Sequence, residues 1–258
     1  MRRRNLIALL IGFSFYVGFG WWLTNNQERI IYQPWPQDFT NCPALASAEP
    51  ITHHGTRMYV RATDGPVVVF YHGNAGSACD RAFLAEQFLA AGYGYVLVEY
   101  AGYSNDPEPP SHGRIKQDVQ NVIAYLTQNE LDSVAIIGES IGAGVAAYHT
   151  ALAPPDRLLL ISPFTNLRAV AATRFWFYPT RHLVRNAYDV ERDLMTYPGP
   201  TTIIHGTADR IIPFRLGEAL YQTLPGEKTF VPITDAGHNN LFTRDDTYQA
   251  VEQFLRSQ

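Results

Sequence analysis

The chain has 258 residues, 46% hydrophobic and 17% charged, with a formal net charge of −4. It carries no repeat, long charge run or low-complexity stretch, so it can build one sizeable core and is not a disordered polar chain. With that net charge and only two lysines, Lys116 and Lys228, it shows no basic footprint for nucleic acid.

The N-terminus differs in kind from the rest. Arg2, Arg3 and Arg4 precede an uncharged apolar stretch, Leu6 to Leu23, with Trp21 and Trp22 near its far end. At about 1.5 Å per residue the stretch is just long enough to cross a bilayer core, and an aromatic pair suits the interface. A cleaved signal peptide has the same charge pattern, but large residues (Tyr16, Phe19, Trp21, Trp22) occupy the end where a small-x-small site would stand. A buried core helix fits the terminal arginines poorly. Residues 1–24 are therefore expected to be a signal anchor. The positive-inside bias puts residues 1–4 in the cytoplasm and the rest across the membrane, on the periplasmic face if the source is bacterial. Beyond Arg4 acidic residues outnumber basic ones, so the remainder does not cling to an anionic surface by charge.

Residues 25–50 carry Pro34, Pro36, Pro43 and Pro50 and predict an extended arm. Cys42 and Cys79 are the only cysteines. In an oxidising compartment they can pair, which would pin the arm to the body; two buried free thiols are the other reading.

From residue 51 to 258 the pattern is that of one domain. Residues Ile51–Ala62 read as one or two antiparallel strands closed by the turn Thr63-Asp64-Gly65. Short apolar runs then recur at residues 66–71, 95–100, 134–137, 158–161, 201–204 and 229–233. Such runs suit strands buried on both faces of a parallel sheet. Between them lie helical stripes: Ile115, Val119, Val122, Ile123 and Leu126, with Ser111 as cap, and Tyr248, Val251, Phe254 and Leu255 at the end. The alternation specifies an α/β fold, a mostly parallel sheet with crossover helices. Residues 163–196 interrupt it, long for a crossover and rich in aromatics such as Phe164, Trp176 and Tyr188. They predict a small cap over the carboxyl ends of the strands, where open α/β sheets bind ligands; an irregular crossover is the plainer alternative.

Residues 138–144 read GESIGAG and admit two readings. From Gly142 the letters fit G-x-G-x-x-A, a dinucleotide fingerprint. That motif should follow its strand at once, and an acidic residue should end the next strand; here Gly142 lies five residues past Ile137, and the next strand ends Leu160-Ile161-Ser162. From Gly138 they fit G-x-S-x-G, a serine on a strained strand-to-helix turn flanked by small residues. The second reading stands, and Ser140 becomes the candidate nucleophile at the start of a helix.

A serine needs a base, and the base an acid to fix its tautomer. Asp209, in His205-Gly206-Thr207-Ala208-Asp209, follows the strand at 201–204, and His238, in Gly237-His238-Asn239-Asn240, follows the last strand. The order Ser, Asp, His is that of the α/β-hydrolase fold. Asp235 is a rival acid but sits three residues from His238 on the same loop. The glycine-rich Tyr71-His72-Gly73-Asn74-Ala75-Gly76 can turn an amide inward, so the backbone N–H groups of Asn74 and Ile141 are the expected oxyanion donors. His72 is expected to orient that loop, and His72, Tyr103 and Phe164 are candidate pocket residues. His53 and His54, adjacent on a strand, should point to opposite faces. His112, His149 and His182 lack any metal-ligand pattern, and no metal or cofactor is expected.

At these residues the chain resembles the membrane-anchored α/β-hydrolase-domain serine hydrolases related to protein depalmitoylases and to lysophospholipid and monoacylglycerol lipases. The resemblance is carried by ERIIYQP, YHGNAGS, EYAGYS, GESIG, HGTADRIIP and AGHNN, spread over residues 28–240. Ala101 stands where such proteins often have arginine, and Ala143 where they often have glycine. The resemblance implies hydrolysis of a carboxylic ester or thioester, of the kind found in acyl chains and lipids, through Ser140, Asp209 and His238. A serine peptidase would use the same three residues on amides, and a non-catalytic binding protein could share the fold.

Overall fold

A computed structural model describes residues 2–186 and 188–256. Met1 of the basic end, Ala187 within the 163–196 insertion, and Ser257 and Gln258 of the expected domain lie outside the described residues.

The chain opens with helix α1 (Arg2–Asn25), followed by the short α2 (Gln27–Ile31). A hairpin of β1 (Glu49–His53) and β2 (Thr56–Arg61) leads into β3 (Val67–Tyr71), α3 (Ala85–Ala90) and β4 (Gly94–Glu99). Then come α4 (His112–Gln128), β5 (Ser133–Glu139), α5 (Ile141–Leu152) and β6 (Arg157–Ile161). The insertion folds into α6 (Leu167–Arg174), α7 (Thr180–Leu183) and α8 (Val190–Leu194). The chain closes with β7 (Thr201–Gly206), α9 (Phe214–Thr223), β8 (Lys228–Ile233) and α10 (Asp245–Arg256).

The eight strands form one sheet in the order β1-β2-β4-β3-β5-β6-β7-β8. β2 runs antiparallel to β1 and β4, and every other neighbouring pair is parallel. The apolar runs are explained by this arrangement. All residues of β3 and β4 are buried, with Val67, Val69 and Tyr71 on one face and Val68 and Phe70 on the other. The first face is covered by the α4 stripe, Ile115, Val119, Val122 and Leu126, and by α5; the second takes Phe88 of α3 and Val251, Phe254 and Leu255 of α10. At about 25 cal/mol per Å² of apolar area removed from water, these two layers supply most of the drive to fold. Ser111 caps α4 by accepting the Arg114 N–H at 3.3 Å. β3, β5, β7 and β8 end on one rim of the sheet, and their following loops carry the candidate residues.

Two expectations change. Residues 25–50 do not stand away from the domain as an extended arm. Tyr32, Phe39, Cys42 and Leu45 are buried in the core, and the Tyr59 hydroxyl donates to the Phe39 carbonyl at 2.6 Å. Cys42 and Cys79 are joined in a disulfide with Cα atoms 5.9 Å apart, fixing the arm to the segment after β3. The histidine pair also differs: His54 lies in the hairpin turn with φ of 49°, so strand alternation does not reach it. The His53 and His54 rings meet edge to face, 4.2 Å between centroids, instead of pointing apart.

α1 is a helix long and apolar enough to cross a membrane, with a mean hydropathy of 1.9 and almost none of it covered by the rest of the chain. Its later part touches the insertion: the Tyr16 ring stacks on that of Tyr178 with centroids 4.4 Å apart.

Candidate active site

Ser140 stands between the last residue of β5 and the first of α5, with φ of 55° and ψ of −119°. A side-chain-bearing residue in that region carries strain that its surroundings must hold. The neighbours do so. The Ser140 N–H donates to the Ile161 carbonyl at 2.8 Å, and its own carbonyl accepts from Ala143 at 2.9 Å. A Cβ on Gly138 would fall 2.4 Å from the Gly142 carbonyl oxygen, and one on Gly142 would fall 2.2 Å from that of Tyr71. No side chain fits at either place, which is the physical content of the G-x-S-x-G spacing.

The loop after β8 brings His238 Nε2 to 2.9 Å from Ser140 Oγ. The loop after β7 brings Asp209 Oδ2 to 2.7 Å from His238 Nδ1. Asp209 Oδ1 accepts the N–H groups of Ile211 at 2.8 Å and Ile212 at 2.9 Å, so the carboxylate is fixed from its other side as well. Burial alone would raise this carboxyl. Hydrogen bonds from His205 and His238 outweigh it and hold Asp209 well below the usual carboxylate range. An ionised Asp209 takes the Nδ1 proton of His238 as a hydrogen bond, leaving Nε2 as the acceptor for the Ser140 hydroxyl. Asp235 is exposed on a turn with φ of 56° and does not join the group.

Gly73 and Asn74 follow β3 and face this rim. The Gly73 N–H donates to Glu139 Oε2 at 3.2 Å, and Glu139 in turn receives two hydrogen bonds from Arg81, at 2.6 and 2.9 Å. Burial would raise the Glu139 carboxyl, but the Arg81 guanidinium holds it below its ordinary value. The Asn74 side chain is spent on positioning. Its Oδ1 accepts from the Gln33 N–H at 2.9 Å and the Tyr103 hydroxyl at 2.7 Å, while its Nδ2 donates to the Ile31 carbonyl. The backbone N–H groups of Asn74 and Ile141 donate to no acceptor among the described residues, and both residues border the cavity in front of Ser140.

That cavity has a volume of about 700 Å³, within the range of small-molecule sites. Ser140 and His238 border it, and its walls are mostly apolar, with Ile30 and Ile31 of α2, Leu167 and Val170 of α6, Phe164 and Phe175 beside the charged Arg81, Glu139 and Arg174. Phe164 thus lines the cavity. His72 and Tyr103 do not. Both are fully buried. His72 stacks on Tyr100 with centroids 4.1 Å apart and has Nε2 3.4 Å from Glu99; Tyr103 reaches the site only through Asn74.

Residues missed from sequence are Arg81 and Glu139, which steady the Gly73 loop, and Ile30 and Ile31, which the arm reading left in solvent. Glu139 was visible as the x before the serine, but nothing in its spacing pointed to Arg81, 58 residues earlier. His149 is buried against the Tyr71 hydroxyl at 2.7 Å, and burial pushes it down to about 3, so it is a neutral core residue. Among the described residues no group of three or more His, Cys, Asp or Glu side chains could hold a metal ion.

No protein-family profile matches the chain. It is 31% identical to an uncharacterized protein of Mycobacterium tuberculosis over 246 residues, covering 90% of this chain and 88% of that one. It is 29% identical to the lysophosphatidylserine lipase ABHD12 of Xenopus tropicalis over 227 residues, covering 76% of this chain and 59% of that protein. The chain thus spans little more than half the length of that lipase. Among solved structures it is similar to the Est1E protein of Butyrivibrio proteoclasticus, bound to ferulic acid (TM-score 0.64, 16% identity, 81% of this chain and 96% of that one). A monoacylglycerol lipase of Paleococcus ferrophilus gives a TM-score of 0.61 at 16% identity, over 78% of this chain and 98% of that one.

Proposed function

We propose, starting from the fact that this chain belongs to the α/β-hydrolase family, that it is a membrane-anchored serine hydrolase of acyl esters or thioesters. The observation that carries the reading is the unbroken chain of contacts from Ser140 Oγ to His238 Nε2, at 2.9 Å, and from His238 Nδ1 to Asp209, at 2.7 Å, at the border of a mostly apolar cavity.

In this reading Ser140 Oγ attacks the acyl carbonyl carbon while His238 Nε2 takes the hydroxyl proton. Asp209 keeps the imidazole oriented and stabilises its cationic form. The carbonyl oxygen becomes an oxyanion facing the Asn74 and Ile141 N–H groups, the second of them at the positive end of α5. The bond to the leaving alcohol or thiol breaks as His238 returns the proton to it. Water then repeats the sequence on the acyl-serine, releasing the acid and restoring the enzyme. The apolar walls and the lipase relatives support an acyl chain or lipid as the part of the substrate that the cavity holds. The length and hydropathy of α1, with arginines before it, support an uncleaved anchor with residues 1–4 on the cytoplasmic side.

A fluorophosphonate probe tests the chemistry. The full chain should be labelled on Ser140, and Ser140→Ala and His238→Ala should lose the labelling while keeping their melting transitions. A folded full chain that takes up no label would leave a binding protein on this fold as the better reading.

A further inference from the structure

The contact between α1 and the insertion occurs at a telling height. The Tyr16 ring stacks on Tyr178, the Tyr16 hydroxyl donates to the Phe177 carbonyl at 2.8 Å, and the Tyr178 hydroxyl donates to the Tyr16 carbonyl at 2.8 Å. Phe19 lies 6.2 Å from Tyr178 between ring centroids, and a Cβ on Gly20 would come within 2.9 Å of the same ring. The insertion therefore grips α1 from Tyr16 to Gly20, well inside the uncharged stretch that runs from Leu6 to Leu23. That stretch, at about 1.5 Å per residue, spans roughly 27 Å and is only just sufficient for a bilayer core of about 30 Å. Were the gripped part in water, the helix left for the membrane would be Leu6–Phe15, roughly 15 Å and half of what is needed. A spanning α1 carries its partner into the lipid.

The partner's surface is made for that position. Trp176 is 81% exposed and Phe177 47%, side by side on the turn between α6 and α7, and Trp21 of α1 is 69% exposed. The exposed Arg174 and Arg181 flank the turn; Arg174 donates to the Arg210 carbonyl at 3.0 Å and Arg181 to the His182 ring at 2.9 Å, so both guanidinium groups stay on the domain's side of it. Part of its backbone is paired within the protein: Tyr178 N–H donates to the Phe175 carbonyl at 2.8 Å, Thr180 N–H to that of Tyr178 at 2.8 Å, and the Phe177 carbonyl takes the Tyr16 hydroxyl, whereas the Trp176 and Phe177 N–H groups donate to no acceptor among the described residues. Phe175, the residue before Trp176, lines the cavity in front of Ser140. One short segment thus has lipid-seeking aromatics outside and the cavity wall inside.

We propose that the Phe175–Tyr178 turn is immersed in the acyl region of the leaflet on the domain's side, and that the cavity takes acyl-lipid substrate sideways from that leaflet. This deepens the preceding reading and rests on both its anchor and its ester chemistry. The lipid's acyl chain passes Phe175 without crossing water, and its carbonyl meets Ser140.

The test reads depth without needing hydrolysis. Trp176→Cys, Leu10→Cys and Gln249→Cys are each labelled with bimane in the full chain and placed in phosphatidylcholine–phosphatidylglycerol vesicles containing a lipid with a nitroxide on its acyl chain. Labels at 176 and 10 should be quenched by the nitroxide and shielded from aqueous iodide, with the label at 249 behaving in the opposite way. A label at 176 that behaves like the one at 249 overturns the immersion, and one at 10 that does so as well overturns the anchor with it. Fluorophosphonate labelling of Ser140 judges the chemistry separately, so the two failures are distinguishable. The lateral route is read with Trp176→Asp combined with Phe177→Asp. Turnover of a long-chain monoacylglycerol in vesicles should fall about 10-fold or more, as charges resist burial in lipid, while hydrolysis of a short soluble ester stays unchanged. An equal fall on both substrates, or none on the lipid, would overturn that route.

Discussion

The rim of the sheet and the arm–insertion pair build the two halves of one site by opposite means. On the rim Ser140, Asp209 and His238 sit at strand ends and are locked by short polar contacts, several to backbone amides. Across the cavity, Ile30 and Ile31 of α2 and Val170 of α6 offer apolar surface with little polar fixing of their own. The contacts that tie the arm to the insertion include a buried one between the Tyr32 and Tyr188 hydroxyls at 2.8 Å, the Arg185 N–H donating to Gln27 at 2.8 Å and Asn186 Nδ2 donating to Glu28 at 3.1 Å. Bond making needs fixed directions, whereas holding an acyl chain needs only shape and dryness. Under the proposed function, the difference puts cleavage on the rim and choice of substrate in the walls.

The largest effect that can break this division is on the rim. Asp209→Asn should lower turnover of every ester by about 10⁴-fold with little change in KM, since the imidazole would lose the partner that fixes its tautomer. A second reading comes from pH. The folded Asp209 carboxyl lies below its unfolded value, so it stabilises the fold above the unfolded carboxylate range, and that contribution is lost as pH falls through the folded value. Denaturant midpoints below about pH 4 should therefore be less acid-sensitive in Asp209→Asn than in the parent.

Asn74 joins the two halves, because its side chain holds the arm at Ile31 and Gln33 while its backbone N–H faces the cavity. Asn74→Ala should cut kcat by about 10²-fold, a loss of the order seen when an oxyanion donor is displaced, and leave KM near its parent value. Asn74→Asp keeps the acceptor for Gln33 and Tyr103 and should recover part of that loss. Equal changes in kcat and KM with a lowered melting temperature would reduce Asn74 to a structural residue.

How these parts read in the sequence follows the same line. The strand runs, the α4 stripe and the order Ser140, Asp209, His238 were legible because each depends on neighbours a few residues away, and the rim assembles them by topology alone. The contacts that hold the Gly73-Asn74 loop were not: Arg81 meets Glu139, and Asn74 meets Ile31, across long separations that no spacing announces. His72 follows β3 and Tyr103 follows β4, yet His72 packs inward on Tyr100 beside Glu99, and Tyr103 spends its hydroxyl on Asn74. The arm's prolines suggested extension, but Tyr32, Phe39 and Leu45 gain more from burial than the arm loses in freedom.

The smallest effect on chemistry is expected from the disulfide, neither of whose cysteines borders the cavity and whose neighbour Arg81 is held separately by Glu139. Cys42→Ser with Cys79→Ser should leave turnover within about twofold but lower unfolding free energy by about 4 kcal/mol, the loop-closure value for a separation of 37 residues. Denaturant titration beside an ester assay checks both. A large loss of turnover would mean that the bridge also sets the position of α2.

The division of labour is tested most directly by kcat/KM for a series of esters of rising acyl length, taken through the full chain and through Val170→Asp. The parent should favour long chains, and Val170→Asp should lose that preference by about 10-fold while keeping its rate on the shortest ester. Faster turnover of short, water-soluble esters by the parent, or an equal loss on all lengths in the variant, would contradict it.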